Sequence, residues 1–154
     1  GSQFVIRIPF KIDEEHKNER VKESASASIE GLSVLLVEDN ELNMEIARFI
    51  IENEGAKVTC ATNGKEAVDI YKNAPESFDI ILMDIMMPEM DGLQATQVIR
   101  SFDHDIPIVA MTANAFMEDK IKAKKAGMNA HVSKPLDRNI LIQVIAKLCG
   151  YKNV

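Results

Sequence analysis

Basic residues are in the minority: 18 Lys and Arg stand against 24 Asp and Glu, a net charge of −6. A nucleic-acid-binding surface needs a basic patch, and this balance argues against direct nucleic-acid binding. No apolar run approaches the roughly 18 residues that suggest a membrane span, so no membrane segment is expected here. The opening stretch, GSQFVIRIPFK, is too short and too polar-flanked to read as a secretory signal. Cysteine is scarce too. Cys60 and Cys149 are far apart, each in an apolar segment, and neither stands near a histidine at metal-ligand spacing. They read as reduced, buried thiols of a cytoplasmic protein rather than as a disulfide. What is there, 154 residues at 46% hydrophobic and 27% charged, suffices for one globular domain.

Composition changes near residue 31. Residues 11–30, KIDEEHKNERVKESASASIE, mix both charge signs with small polar groups and read as a linker. From Leu32 onward, short apolar strands alternate with amphipathic helices. SVLLVE is apolar on both faces, as a central parallel strand should be. Asn40 opens a helix whose Leu42, Ile46, Phe49 and Ile50 form one apolar stripe, and Gly55 ends it. KVTCA is a second strand, after which Asn63 and Glu66 have the spacing of a capping box. FDIILMD, a helix over about 92–101, IPIVAMT, and a helix from about Phe116 to Ala126 that stops at Gly127 come next. AHVSK and a last helix, with Ile140, Val144 and Leu148 on one face, close the pattern. Five such units predict an α/β fold: a doubly wound, flavodoxin-like parallel sheet of five strands in the order 2-1-3-4-5, with five helices.

In that architecture ligands sit at the carboxyl ends of the strands, near the switch point between strands 1 and 3. Strand 1 ends in Glu38-Asp39, strand 3 in Asp84, strand 4 in Thr112 and strand 5 in Lys134. The topology therefore brings these five side chains to one cleft. Three carboxylates so close would take up protons unless a cation compensates. Hard oxygen ligands suit Mg²⁺, with Mn²⁺ the alternative. A lysine and a hydroxyl nearby can hold phosphoryl oxygens, so the set has the parts of phosphoryl transfer to a carboxylate.

Each residue has a plainer reading alone. Glu38-Asp39 could complement a helix dipole, Asp84 could cap a loop, and Thr112 and Lys134 are ordinary residue types. It is their convergence that points to chemistry. Met83, Met86, Met87 and Met90 have no Cys or His beside them and read as gap-filling rather than as a soft-metal site. His131 reads as a partly exposed strand residue.

VLLVEDNELN, DIILMDIMMPEMDG, IPIVAMTA and HVSKP, in this order and spacing, resemble the signatures of the receiver domain of two-component response regulators over residues 32–150. The resemblance implies that Asp84 is the phosphoacceptor in a phosphorelay, supplied by a phosphohistidine-bearing kinase or phosphotransfer domain. It implies that Asp39 and Asp84 bind Mg²⁺, with Glu38 directly or through water and the backbone carbonyl of Met86 completing the ligands. It assigns Lys134 to the phosphoryl group, Thr112 as the switch hydroxyl, and a cis peptide to Lys134-Pro135. His131 stands where many members have Tyr or Phe, which puts an aromatic switch in doubt. Met86 and Asn114 stand at positions that tune dephosphorylation and supply no obvious base, so a persistent phosphoryl group is expected. Such a module catalyses its own phosphorylation and dephosphorylation and switches its helix 4–strand 5–helix 5 face, where Ile121 is the main apolar anchor of helix 4.

Other classes fit less well. A phosphatase of haloacid-dehalogenase type wants a second acid where Met86 stands, a flavodoxin-like binder wants a phosphate-cradling loop where VEDNELN is acidic, and a non-phosphorylated pseudo-receiver would normally lack Asp39, Asp84 or Lys134. Residues 1–10 resemble the last strand of a histidine-kinase ATP-binding domain, unless Gly1-Ser2 is a cloning remnant. On that resemblance the chain is the C-terminal part of a hybrid sensor kinase, whose other segments could anchor it in a membrane. A strand without its sheet could also pair with another chain, leaving a homodimer open.

Overall fold

The computed structural model describes residues 28–87, 90–113 and 117–150. The expectations for residues 1–10, for most of the linker, for Phe116 and for Asn114 lie outside them. The strands are β1 (Ser33–Val37), β2 (Lys57–Ala61), β3 (Ile80–Asp84), β4 (Ile108–Thr112) and β5 (Ala130–Ser133). The helices are α1 (Glu41–Asn53), α2 (Gly64–Asn73), α3 (Gly92–Arg100), α4 (Met117–Ala126) and α5 (Arg138–Gly150). All strand pairs are parallel, in the order β2-β1-β3-β4-β5. Parallel neighbours need crossovers, and the helices supply them on both faces.

Alternation along the strands divides the core in two. Val34, Leu36, Ile80, Leu82, Val109 and Met111 point to the side covered by α1 and α5. Leu35, Val37, Ile81, Met83, Ile108 and Ala110 point to the side of α2, α3 and α4. β1, β3 and β4 are therefore buried almost throughout, while the edge strands β2 and β5 are only half covered. Ile29 belongs to the first core, so the folded unit begins within the stretch expected to be linker.

Three helix faces differ from expectation. In α1 the buried residues are Met44, Ala47 and Ile51, whereas Leu42, Ile46 and Phe49 face solvent. The sequence offers two apolar stripes, and the one with the small Ala47 lets the helix lie close on the sheet; only Ile50 of the larger stripe packs partly against the core. In α5, Leu141, Ile142, Ile145 and Cys149 are buried, Val144 and Leu148 are partly so, and Ile140 is exposed. In α4, Ile121 is exposed and the small Ala123 and Ala126 make the inward contacts, so Ile121 is not its anchor.

The caps follow the sequence closely. Asn40, Asn63 and Asp91 each accept a bond from the amide three residues on. Asp91 and Gln94 form a full capping box. Glu66 does not complete one with Asn63; its carboxylate reaches past it to the amide and hydroxyl of Thr62. Gly55 and Gly127 follow their helices with positive φ, as chain reversal there requires. Cys60 is half-buried and Cys149 buried, and the two are not joined in a disulfide.

Candidate functional site

The carboxyl ends of β1, β3, β4 and β5 deliver the site. Asp84 is the last residue of β3, paired in register with Met111, and Thr112 is the next residue of β4. Lys134 follows β5 directly, and its amide donates to the carbonyl of Thr112 at 2.8 Å. Glu38 continues β1, with its amide bonded to the carbonyl of Ala61. The parallel register thus fixes where each side chain leaves the sheet.

Carboxylate oxygens of Glu38, Asp39 and Asp84 all lie within 4.8 Å of one another. Lys134 joins two of them, with Nζ 2.8 Å from Glu38 Oε2 and 3.3 Å from Asp84 Oδ1. Asn40 donates its amide to Glu38 Oε1, and Met86 donates its amide to Asp84 Oδ1. Asp84 is buried rather than merely placed at a rim, at 3% exposure, and Glu38 is equally covered, while Asp39 is exposed. Burial pushes the Asp84 carboxyl up to about 7, and the neighbouring Glu38 adds to the rise; Lys134 opposes both without cancelling them. Burial works against the charge on Lys134 as well, but Glu38 and Asp84 outweigh it and raise its pKa.

This donor set fits a hard divalent cation. Three carboxylates, one open to solvent, share a single lysine, an all-oxygen donor set of the kind Mg²⁺ takes. Glu38, Asp39, Asp84, Thr112 and Lys134 are thus on the adjacent strand ends where the sequence placed them. Thr112 is buried at the end of β4, and the Lys134-Pro135 peptide is cis. His131 lies apart, exposed on β5 opposite Ala110. The Met86 side chain is 75% exposed and brings no second acid. Met83 is core, and Met87 and Met90 pack partly against it, so these three do fill gaps, whereas Met86 faces solvent and does not.

Sequence reading missed two supports. Gly92, expected only as the start of a helix, lies against the main chain of Asp84: a Cβ there would overlap the Asp84 carbonyl oxygen and approach Ile85 Cα at 2.9 Å. Its amide also bonds to the carbonyl of Ile85, folding the loop after β3 back on itself. A dipeptide such as Asp-Gly signals a turn but not what the turn presses against. The second support is a cavity of about 80 Å³ beside the acidic cluster, lined by Glu38, Asn43, Ile46, Lys134, Pro135 and Leu136. Nothing local in sequence joins α1 to the loop after β5.

Comparison with known proteins converges on one family. Residues 34–146 match the model of the response regulator receiver domain. The chain is 38% identical over 122 residues to the sensor protein GacS of Pseudomonas syringae pv. syringae, covering 76% of this chain and 13% of that one. It is 39% identical over 126 residues to hybrid signal transduction histidine kinase I of Dictyostelium discoideum, covering 77% of this chain and 7% of that protein. The chain therefore spans only a small part of the curated relatives it matches. Among solved structures, the receiver domain of a sensor histidine kinase from Pseudomonas aeruginosa, with a magnesium ion coordinated in its active-site cleft, aligns with a TM-score of 0.73 at 35% identity. That alignment covers 78% of this chain and 98% of the other. A co-crystal structure from Saccharomyces cerevisiae, of a histidine phosphotransfer signaling protein and the receiver domain of its downstream response regulator, aligns with a TM-score of 0.75 at 29% identity. It covers 81% of this chain and 93% of the other.

Proposed function

The chain belongs to the response regulator receiver domain family, and from that premise we propose that Asp84 is its phosphoacceptor, taking a phosphoryl group from phosphohistidine. The observation that supports this most strongly is a buried carboxylate, Asp84, set among Glu38, Asp39 and Lys134 at the carboxyl end of the sheet.

An Asp84 carboxylate oxygen attacks phosphorus, the N–P bond of the donor breaks, and its electron pair stays on the imidazole, which then picks up a proton from water. Because the nucleophile must be ionised, the Asp84 proton is lost before attack. Lys134, already 3.3 Å from Asp84, turns to the phosphoryl oxygens as a point charge. Thr112, one residue beyond the register partner of Asp84, offers a hydroxyl to another phosphoryl oxygen. Glu38, Asp39, Asp84 and the Met86 carbonyl would hold Mg²⁺, which supplies charge neutralisation for the transferring group. Met86, with its side chain in solvent, provides no base to activate a hydrolytic water, in keeping with a long-lived phosphoryl group.

The product adds about −1.5 to −2 charge where Lys134 and Thr112 can respond. The response passes to α4, β5 and α5. α4 is suited to it because its inward contacts rest on alanines. We place the chain in the receiver portion of a hybrid histidine kinase, acting on the cytoplasmic side; the relatives, all much longer, support this context. No described helix is long and apolar enough to cross a membrane.

Intact-mass measurement after incubation with acetyl phosphate and Mg²⁺ tests the reading. The parent chain is expected to gain one phosphoryl group, and to gain none after chelation or in Asp84→Asn. No gain by a folded parent chain would overturn it.

A further inference from the structure

From Lys120 to Leu136 the chain carries five lysines, one histidine and no carboxylate, within a protein of net charge −6. Lys134 is engaged by Glu38 and Asp84. Among the described residues, no carboxylate pairs with Lys120, Lys122, Lys124 or Lys125 of α4. A run of like charge alone is a solvated face. Here two of the four lysines turn to something more definite.

Lys120 and Lys124 line a cavity of about 280 Å³ between α4 and β5, together with Asn129 and His131. They stand one helical turn apart, with Cβ atoms roughly 5–6 Å from each other. Asn129 accepts through Oδ1 from the Arg100 guanidinium and the Ile108 amide, both at 2.9 Å. That leaves its NH₂, a donor, for the cavity. His131, exposed on β5, adds a ring N–H. Among the described residues no carboxylate lines this space, so its polar groups favour an anion. The rest of the wall is apolar: Ala123 and Met128 are buried, and Ala130 is half-buried beside them. The volume falls just below the roughly 300–1,000 Å³ of small-molecule sites, which suits a partly enclosed ligand of nucleotide size.

We propose that this cavity binds a nucleoside diphosphate, with its phosphates on Lys120 and Lys124 and its base against Ala123, Met128 and Ala130. Two ammonium groups in series answer two phosphates in series, and Asn129 and His131 complete the donors. An anion without a base would leave the apolar wall in water, and a base without phosphates would leave the lysines unanswered. The ligand bridges α4 to β5 and so ties down a helix whose inward contacts rest on alanines. None of these residues belongs to the acidic cluster, so the site stands whether or not Asp84 is phosphorylated.

Calorimetric titration of ADP, inorganic pyrophosphate and adenosine into the parent chain tests this, with divalent metal chelated so that none carries phosphate to the acidic cluster. ADP is expected to bind, pyrophosphate about tenfold more weakly or worse, and adenosine not measurably. Lys120→Ala/Lys124→Ala should weaken ADP binding by about tenfold or more. Lys122→Ala/Lys125→Ala removes the same charge from the same helix outside the cavity, and should weaken it by less than about threefold. Hydrogen exchange should slow on ADP binding in α4 and β5 and stay unchanged at Glu38–Asn43. Absence of ADP binding, or equal weakening by the two double variants, would overturn the proposal, the second because it marks diffuse attraction to a charged face. Protection at Glu38–Asn43 instead would also overturn it, placing the nucleotide at the acidic cluster. Pyrophosphate or adenosine binding as tightly as ADP would overturn the assignment of a nucleoside diphosphate.

Discussion

Lys134 holds Glu38 at 2.8 Å and Asp84 at 3.3 Å, one ammonium group shared by two buried carboxylates. The attraction is real but insufficient. Burial, and then Glu38, still lift Asp84 to about 7.

A stability consequence follows from the sign of that shift. Below the unfolded value of 3.8, Asp84 carries its proton in both states and has no effect. Between there and about 7 the folded chain keeps a proton that the unfolded chain has lost, so stability from this group falls as pH rises. Above that range the cost is fully present. Asp84→Asn should therefore stabilise the metal-free chain at pH 8 by on the order of 1 kcal/mol, and by much less at pH 4. Mg²⁺ should raise the melting temperature of the parent chain far more than that of the variant. Thermal unfolding at the two pH values, with and without Mg²⁺, checks both.

Gly92 leaves no room for a side chain against Asp84. Gly92→Ala must move either the Asp84 main chain or the start of α3. We expect a loss of about 2 kcal/mol in chemical denaturation and a large fall in acetyl phosphate loading. Normal loading would show that the loop yields without disturbing Asp84.

Thr96 lies fully buried in α3, and among the described residues its hydroxyl is the buried side-chain polar atom left without a partner. Thr96→Val keeps the shape and removes that group. It should stabilise the chain by about 1 kcal/mol, read as a higher denaturation midpoint at unchanged slope. A lower midpoint would mean that the hydroxyl is satisfied in solution.

At the other end of the sheet, the Tyr71 hydroxyl donates to Asp103. Burial pushes the Asp103 carboxyl up, but Tyr71, the amides of Asp105 and Ile106, and Arg100 together hold it below the usual carboxylate range. A depressed carboxylate stabilises above its unfolded pKa and loses that contribution as pH falls through its folded one. Tyr71→Phe should cost about 1 kcal/mol at neutral pH, with the difference from the parent chain shrinking below pH 4. A difference independent of pH would assign the loss to packing against Phe78 and Phe102 instead.

Strand positions and site residues were legible because both depend on short, periodic signals. A parallel strand buried on two faces must be apolar throughout, and the residue that breaks the run marks its carboxyl end. That rule alone places Asp84 and Thr112. Helix faces were less legible. α1 carries two apolar stripes, and choosing between them depends on how closely Ala47 lets the helix approach the sheet, a tertiary fact. Arg100 shows the same limit: it bonds the carbonyl of Gly127, the side chain of Asn129 and the carbonyl of Asp103, yet stands in sequence as an ordinary last-turn arginine.

The identity of the acceptor atom is the central claim, and borohydride tests it most directly. Reduction of the phosphorylated chain converts an acyl phosphate to an alcohol, so peptide mapping should find homoserine in place of aspartate at position 84 and nowhere else. Reduction at Glu38 or Asp39, or a phosphoryl group that survives borohydride, would contradict the account.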